Sequence, residues 1–250
     1  MTMIVFGEMP VDVELIVFDK DGTLIDFHHL WNQRAQWGID ALVDRVRGTD
    51  QLRADLYAAL GFDPITRRAL SNGPFTTAPV DALSVIAASV VYRHAIIWDE
   101  AVLHVTQTFS AALRTPPDDD LVRPRGDLTR LFADINGLGV KLAVATTDDR
   151  IPTQHTLRRL GLNDLLEKLI CGNDEGPRKP DPEVLHQLAE RLAVPIDKVV
   201  MVGDTVGDLR MAKHAGAKAI GITGGADVRD QLAPFADTLI TSLADIQTQT

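Results

Sequence analysis

Five short apolar runs constrain this chain more than any other feature: VELIVF (13–18), VKLAVA (140–145), KVVMV (198–202), AKAIGI (217–222) and DTLI (237–240). Most are rich in β-branched residues, and none alternates strictly with polar ones. A strand with one wet face alternates, so unbroken runs read as strands covered on both faces, the situation of a parallel sheet. From Asp127 onward, helical patterns at 127–136, 152–160, 181–193, 206–215 and 227–233 fall between the runs. Turn signals (NGLG, RLGL, AGAK, GITGGA) separate them. Strands joined in this way form right-handed βαβ units, so the expected fold is α/β, a doubly wound (Rossmann-like) parallel sheet.

One interval breaks the pattern. Residues 29–47, 50–60, 80–97 and 99–114 carry helical periodicity with no strand run between them. A Pro-rich, charged segment, RTPPDDDLVRPRGD (114–127), reads as the return linker. The expected organisation is therefore an α/β core of residues 1–25 and 126–250, interrupted by an all-helical cap at 26–125. Within the core, the role of residues 1–12 is open: an edge strand or an association element.

Composition excludes several classes of function. The chain has 250 residues and a formal net charge of -10, with no clustered Lys and Arg, which argues against nucleic acid or an anionic membrane as partner. The most apolar long window, Val80 to Trp98, is interrupted by Asp81, Ser84, Ser89, Arg93 and His94 and reads as a buried helix, not a membrane span. Cys171 is the single cysteine, so neither an intrachain disulfide nor a CxxC metal site can form. With no basic region at the start of the chain, a cytoplasmic setting is expected.

In an open parallel sheet, ligands bind beyond the carboxyl ends of the strands. Those ends hold DKDGT (19–23), TTDD (146–149) and GDTVGD (203–208), and a basic loop, GPRKPDP (176–182), precedes a helix. Alternation puts Asp19 and Asp21 on one side of the chain and Lys20 on the other. With Asp204 and Asp208 added, the carboxylates repel: two unit charges ~4 Å apart cost roughly 4 kcal/mol at an effective dielectric near 20. A divalent cation removes that cost, and oxygen-only ligands favour Mg²⁺ over zinc. Thr146, with its hydroxyl and amide, and Lys179, with its charge, suit a phosphoryl group. Asp19 is then the nucleophile and Asp21 the proton carrier.

The set Asp19-Lys20-Asp21-Gly22-Thr23, Thr146, Lys179 and Gly203-Asp204 with Asp208 resembles the four motifs of the haloacid dehalogenase-like superfamily. An insert between the first and second motifs resembles the cap of its phosphoglycolate-phosphatase-like subfamily. The resemblance implies a Mg²⁺-dependent phosphatase acting on a small phosphorylated metabolite through an aspartyl-phosphate. It implies metal held by Asp19, the Asp21 backbone carbonyl and Asp204, with Asp208 just beyond the direct ligands. A second acid at Asp21 separates the chain from dehalogenase-like members. Two alternatives remain: a phosphomutase on the same core, and a non-catalytic module that binds a phosphorylated ligand. Lys20 is expected to be a bystander. Thr147 and Arg178 are the competitors of Thr146 and Lys179, and Asp148 and Asp149 are read as loop or helix-capping residues. Asp208 could also open the following helix or pair with Lys179. His28 and His29 are candidates for substrate contact, Trp31, Trp37 and Trp98 for the core of the insert, and GITGG (221–225) for a phosphate-cradling loop.

Overall fold

The computed structural model describes residues 2–63, 65–224 and 226–248. The chain starts with strands β1 (Met3–Phe6), β2 (Met9–Asp12) and β3 (Leu15–Phe18). Helices α1 (Phe27–Arg45), α2 (Asp50–Leu60), α3 (Pro74–Thr77), α4 (Val80–Arg93), α5 (Trp98–Val105) and α6 (Ala111–Arg114) follow. Then come α7 (Leu128–Gly137), β4 (Lys141–Ala145), α8 (Arg150–Arg159), β5 (Lys168–Ile170) and α9 (Glu183–Arg191). The chain continues with β6 (Val199–Gly203), α10 (Val206–Ala215), β7 (Lys218–Ile222), α11 (Ala226–Leu232), β8 (Thr238–Ile240) and β9 (Ile246–Thr248).

Six strands form one parallel sheet in the order β5-β4-β3-β6-β7-β8. Both faces are covered, which explains the unbroken apolar runs. Ile16, Phe18, Leu142, Val144, Val200 and Val202 pack in one core layer, while Leu15, Val17, Ala143, Ala145, Val199 and Met201 pack in the other. Fully burying each such side chain contributes about 1.5–3 kcal/mol. Phe18 stacks on Phe132 of α7 at 5.1 Å on the first face, and the second packs on α9 and α10 through Leu185, Leu188 and Leu209. Central strand β3 pairs with β4 on one side and β6 on the other, with Phe18 opposite both Val144 and Val202. The sheet order therefore reverses at β3, and three strand ends open side by side into one crevice.

The insertion between β3 and β4 is helical, an α/β core carrying an all-helical cap. Asp26 caps α1 by accepting from the His29 amide at 3.1 Å. Thr49 caps α2, whose end is closed by left-handed Gly61. Helix α4 is the apolar window at Val80; it buries Val80, Leu83, Ala87, Ala88, Val90 and Val91 and leaves Val85 and Tyr92 exposed. Among the described residues, no helix is long and apolar enough to cross a membrane. A wide turn at Thr106–Ser110 joins α5 to α6, so 98–114 runs as one bulged helix.

Two of the three tryptophans expected in the insert's core are elsewhere: Trp37 is 46% and Trp98 43% exposed. Trp98 rests its edge on Tyr92 at the surface. Residues 2–12 add no edge strand to the parallel sheet. β1 pairs antiparallel with β2 across a two-residue turn at left-handed Gly7, and with β9 from the far end of the chain. This small second sheet buries Ile4, Phe6, Val11 and Ile246.

Candidate active site

Asp19 follows β3 and donates its amide to the Val202 carbonyl at 2.9 Å, which extends the ladder by one step and fixes the residue at the crevice floor. Its carboxylate is buried, and Lys179 Nζ lies 2.5 Å from Oδ1. Asp19 Oδ2 is buried with no hydrogen-bond partner among the described residues. Lys179 also reaches Asp208 Oδ1 at 2.6 Å, so one cation joins two acids. Burial pushes Asp19 up to about 7, with Lys179 opposing the shift and Asp208 and Asp21 adding to it. Burial also drives Asp204 well above the ordinary carboxylate range, with Asp19 and Asp208 contributing. Burial pulls the Lys179 ammonium down, yet Asp19 and Asp208 outweigh it and the net shift is upward.

One oxygen each from Asp19, Asp204 and Asp208 lies within 4.8 Å of the others. That triangle of oxygens, with an orphaned Asp19 Oδ2, suits a hard divalent cation such as Mg²⁺. Asp208, read from sequence as just outside the direct ligands, belongs to the triangle. It also closes a reciprocal cap with Thr205 at the start of α10, accepting from Thr205 Oγ1 at 2.6 Å. Both secondary readings of Asp208 are thus present. Asp204 is let in by Gly22, whose φ is +89° and whose missing side chain would collide with Asp204 Oδ2.

Asp21 stands apart from the triangle. Lys20 Nζ lies 2.8 Å from Asp21 Oδ1 and 2.7 Å from Oδ2, and Trp31 Nε1 donates to Oδ1 at 2.6 Å. Lys20 is fully buried, and its ammonium also meets Asp148 Oδ2 at 3.2 Å. Burial lowers the Lys20 ammonium, but Asp21 and Asp148 more than reverse that. Asp148 itself is raised to about 6 by burial, Lys20 notwithstanding. The grouping of Lys20, Asp148 and Trp31 about Asp21 is not among the readings of the sequence, yet one signal points to it. In a sheet covered on both faces, the side opposite Asp19 is also interior, and an interior ammonium requires anionic partners.

The loops beside Asp19 are bound together. Arg150 donates to Asp174 Oδ1 at 2.7 Å, Asp174 Oδ2 accepts from the Cys171 amide at 2.8 Å, and Arg178 Nη1 donates to the Gly172 carbonyl at 2.9 Å. Arg178 is thereby a strut, and Lys179 is the cation turned toward the acids. Thr146 is buried; its amide donates to the Ile170 carbonyl at 2.9 Å and its hydroxyl accepts from the Asp148 amide at 3.1 Å. A cavity of about 80 Å³ is walled by Asp19, Asp21, Thr147, Lys179 and Asp208, with Thr76, Thr77 and Thr205 beside them; of the neighbours Thr146 and Thr147, it is Thr147 that lines it. Asp149 pairs with Arg114 at 3.1 Å, tying this loop to the end of the cap.

A larger cavity of about 320 Å³ opens beside Asp21, Gly22 and Asp204 and is lined by His28, Arg68 and Arg125. Arg125 is anchored on the Gly22 carbonyl. His28 Nδ1 is buried with no hydrogen-bond partner among the described residues, whereas His29 Nε2 is engaged with the Asp120 carbonyl at 3.1 Å. Of the GITGG stretch, Gly224 lines this cavity and residue 225 lies outside the described residues.

The haloacid dehalogenase-like hydrolase family model matches residues 13–216, and the chain belongs to that family. Within it the chain is an enzyme of the phosphatase kind. It is 31% identical over 218 residues to the probable phosphatase IndB of Dickeya dadantii, spanning 87% of this chain and 84% of that protein. It is 26% identical over 216 residues to the phosphoglycolate phosphatase of Neisseria meningitidis, spanning 85% of this chain and 81% of the relative. The crystal structure of a predicted phosphoglycolate phosphatase from Haemophilus somnus superposes with a TM-score of 0.70 at 19% identity, covering 94% of this chain and 96% of the other.

Proposed function

We propose that the chain hydrolyses a small phosphomonoester whose leaving group carries a second anionic group, through an aspartyl-phosphate on Asp19, with Mg²⁺ held by Asp19, Asp204 and the Asp21 backbone carbonyl. The observation that carries this reading is the buried Asp19, paired at 2.5 Å with Lys179 while its second oxygen has no partner. Bound Mg²⁺ would supply positive charge to offset the repulsion between an anionic nucleophile and a phosphate dianion. Lys179 adds to that offset, and Thr146 stays the residue assigned from sequence to hold a phosphoryl oxygen, with the Thr147 wall position beside it.

The steps on this chain's own residues balance as follows. An Asp19 oxygen forms a bond to phosphorus as the ester P–O bond breaks, and Asp21 gives its proton to the departing oxygen. Asp21 then takes a proton from water as that water attacks phosphorus. The P–O bond to Asp19 breaks, inorganic phosphate leaves, and Asp19 is restored as carboxylate. Support for a small acidic leaving group comes from Arg68, Arg125 and His28 around the 320 Å³ cavity, and from the phosphoglycolate phosphatases among the relatives. Phosphoglycolate is the substrate we propose to try first.

The test is phosphate release across a panel of phosphomonoesters with Mg²⁺ or with EDTA. Turnover is expected with Mg²⁺ only, and Asp19→Asn is expected to abolish it while the thermal melt still reports a folded chain. Interconversion of sugar phosphates with no free phosphate would point to a mutase. Turnover that survives Asp19→Asn would overturn the nucleophile.

A further inference from the structure

We infer that Lys20 and Asp148, a charge pair buried inside the core, are positioning residues that hold the Asp21 carboxylate in place for proton transfer. The inference rests on the phosphatase reading above and extends it to residues outside its chemistry.

Four observations carry it. Lys20 contacts both Asp21 oxygens, at 2.7 and 2.8 Å, so the carboxylate is gripped across its width and cannot rotate without losing a contact. Lys20 is held in turn: it is fully buried, and Asp148 Oδ2 lies 3.2 Å away on another strand end. Asp148 is itself fixed, since its Oδ1 accepts from the Asp149 amide at 2.7 Å and its Oδ2 from Thr153 Oγ1 at 3.4 Å. Trp31 of α1 completes the grip from the cap side, with its indole N–H at 2.6 Å from Asp21 Oδ1 and its ring 5.7 Å from the Lys20 ammonium. Asp21 thus faces the cavities that Asp19 and Asp204 line while its orientation is set from behind. A group that gives and takes a proton must be held within roughly 0.5 Å of its productive place, and a locked supporting residue achieves that.

A buried lysine could instead be a purely structural ion, and the two roles separate by leaving group. An activated aryl phosphate expels a stable phenolate and needs no proton, whereas an alkyl phosphate needs one. The experiment compares phosphoglycolate turnover with the burst of 2,4-dinitrophenolate from 2,4-dinitrophenyl phosphate, both with Mg²⁺. Lys20→Met would strand Asp148 as an unpaired buried charge and could unfold the chain. The double variant Lys20→Met/Asp148→Asn removes both charges together and keeps the side-chain volumes similar.

In the double variant, kcat/KM for phosphoglycolate is expected to fall at least ~30-fold, toward the 10²–10⁴-fold range of a lost general acid. The dinitrophenolate burst rate should stay within about threefold, as should inhibition by inorganic phosphate, because neither uses the proton of Asp21. Asp21→Asn gives the limiting pattern. Equal losses on both esters, or no loss on either, would overturn the inference while leaving the phosphatase standing. A wild-type chain that hydrolyses neither ester would overturn the phosphatase reading and this inference together.

Discussion

Asp19 is pushed up to about 7 from an ordinary 3.8, chiefly by burial, although Lys179 lies at 2.5 Å. Its folded state therefore holds a proton more tightly than the unfolded chain does. That contribution to stability is fully present below pH 3.8 and is lost as pH rises through about 7. Asparagine at the same place has no charge to bury. In EDTA, the Tm of Asp19→Asn minus that of wild type should therefore grow between pH 4 and pH 8 in thermal melts. A difference that stays flat or shrinks over that window would refute the shift. Gly22 makes the complementary point about space. Its φ of +89° is strained for any side chain, and a Cβ there would strike Asp204. Strain of this kind costs about 1–3 kcal/mol, and moving Asp204 also breaks the oxygen triangle. Gly22→Ala is expected to weaken Mn²⁺ or Mg²⁺ binding by at least ~10-fold in calorimetric titrations. Unchanged metal affinity would mean that Asp204 is not a ligand.

At the scale of elements, loops after β4 and β5 are fastened to each other by Arg150 and Asp174, and they lead into the segment that carries Lys179. Burial raises the Asp174 carboxyl, but hydrogen bonds from Arg150 and the Cys171 amide outweigh it and the net shift is downward. A depressed acid contributes stability above its unfolded value of 3.8 and loses it as pH falls through its lower folded value. Asp174→Asn should lower Tm by roughly 2–4 °C at pH 7, about 1 kcal/mol for a chain of this length, with the gap closing below pH 3.8. A gap that persists undiminished at pH 3 would refute the ion pair as its source. The same scale shows what the sequence made legible. The parallel strands β3, β4, β6, β7 and β8 are readable because their apolar runs are unbroken, and the ends of β3, β4 and β6 also carry acids. The β1–β2 hairpin and β9 are not. Each spans only three or four residues with one face buried, too few for period-two alternation to rise above chance. β5 was missed because Lys168 is exposed and only Ile170 is buried. At the site, charges and glycines mark strand ends that the fold brings together, but which of Thr146 and Thr147 lines the cavity depends on backbone direction past β4. The partnership of Lys20 with Asp148 depends on β3 and β4 being neighbours. Neither can be read from a linear string.

Over the whole molecule, the groups we propose as catalytic come from strand ends of the sheet, and helical-insert residues line the space beside them. Asp19 and Lys179 line the smaller cavity and Asp204 the 320 Å³ one, which His28 and Arg68 reach from the helical insert. A reaction at phosphorus should therefore be insensitive to Arg68, and the choice of leaving group should not be. Arg68 is exposed and carries its charge toward a wall already holding Arg125, so an anionic leaving group meets two cations there. Its loss removes one charge-assisted contact, and a factor of 10 in affinity corresponds to ~1.4 kcal/mol, within the range of such contacts. Arg68→Ala is expected to raise KM for phosphoglycolate about 10-fold with kcat within about threefold. For 2,4-dinitrophenyl phosphate, which offers no second anion, KM should move less than about twofold. Steady-state kinetics on the two esters decide the matter. Equal changes in KM for both would mean that Arg68 steers phosphate itself, and no change for either would move recognition of the leaving group to His28 and Arg125.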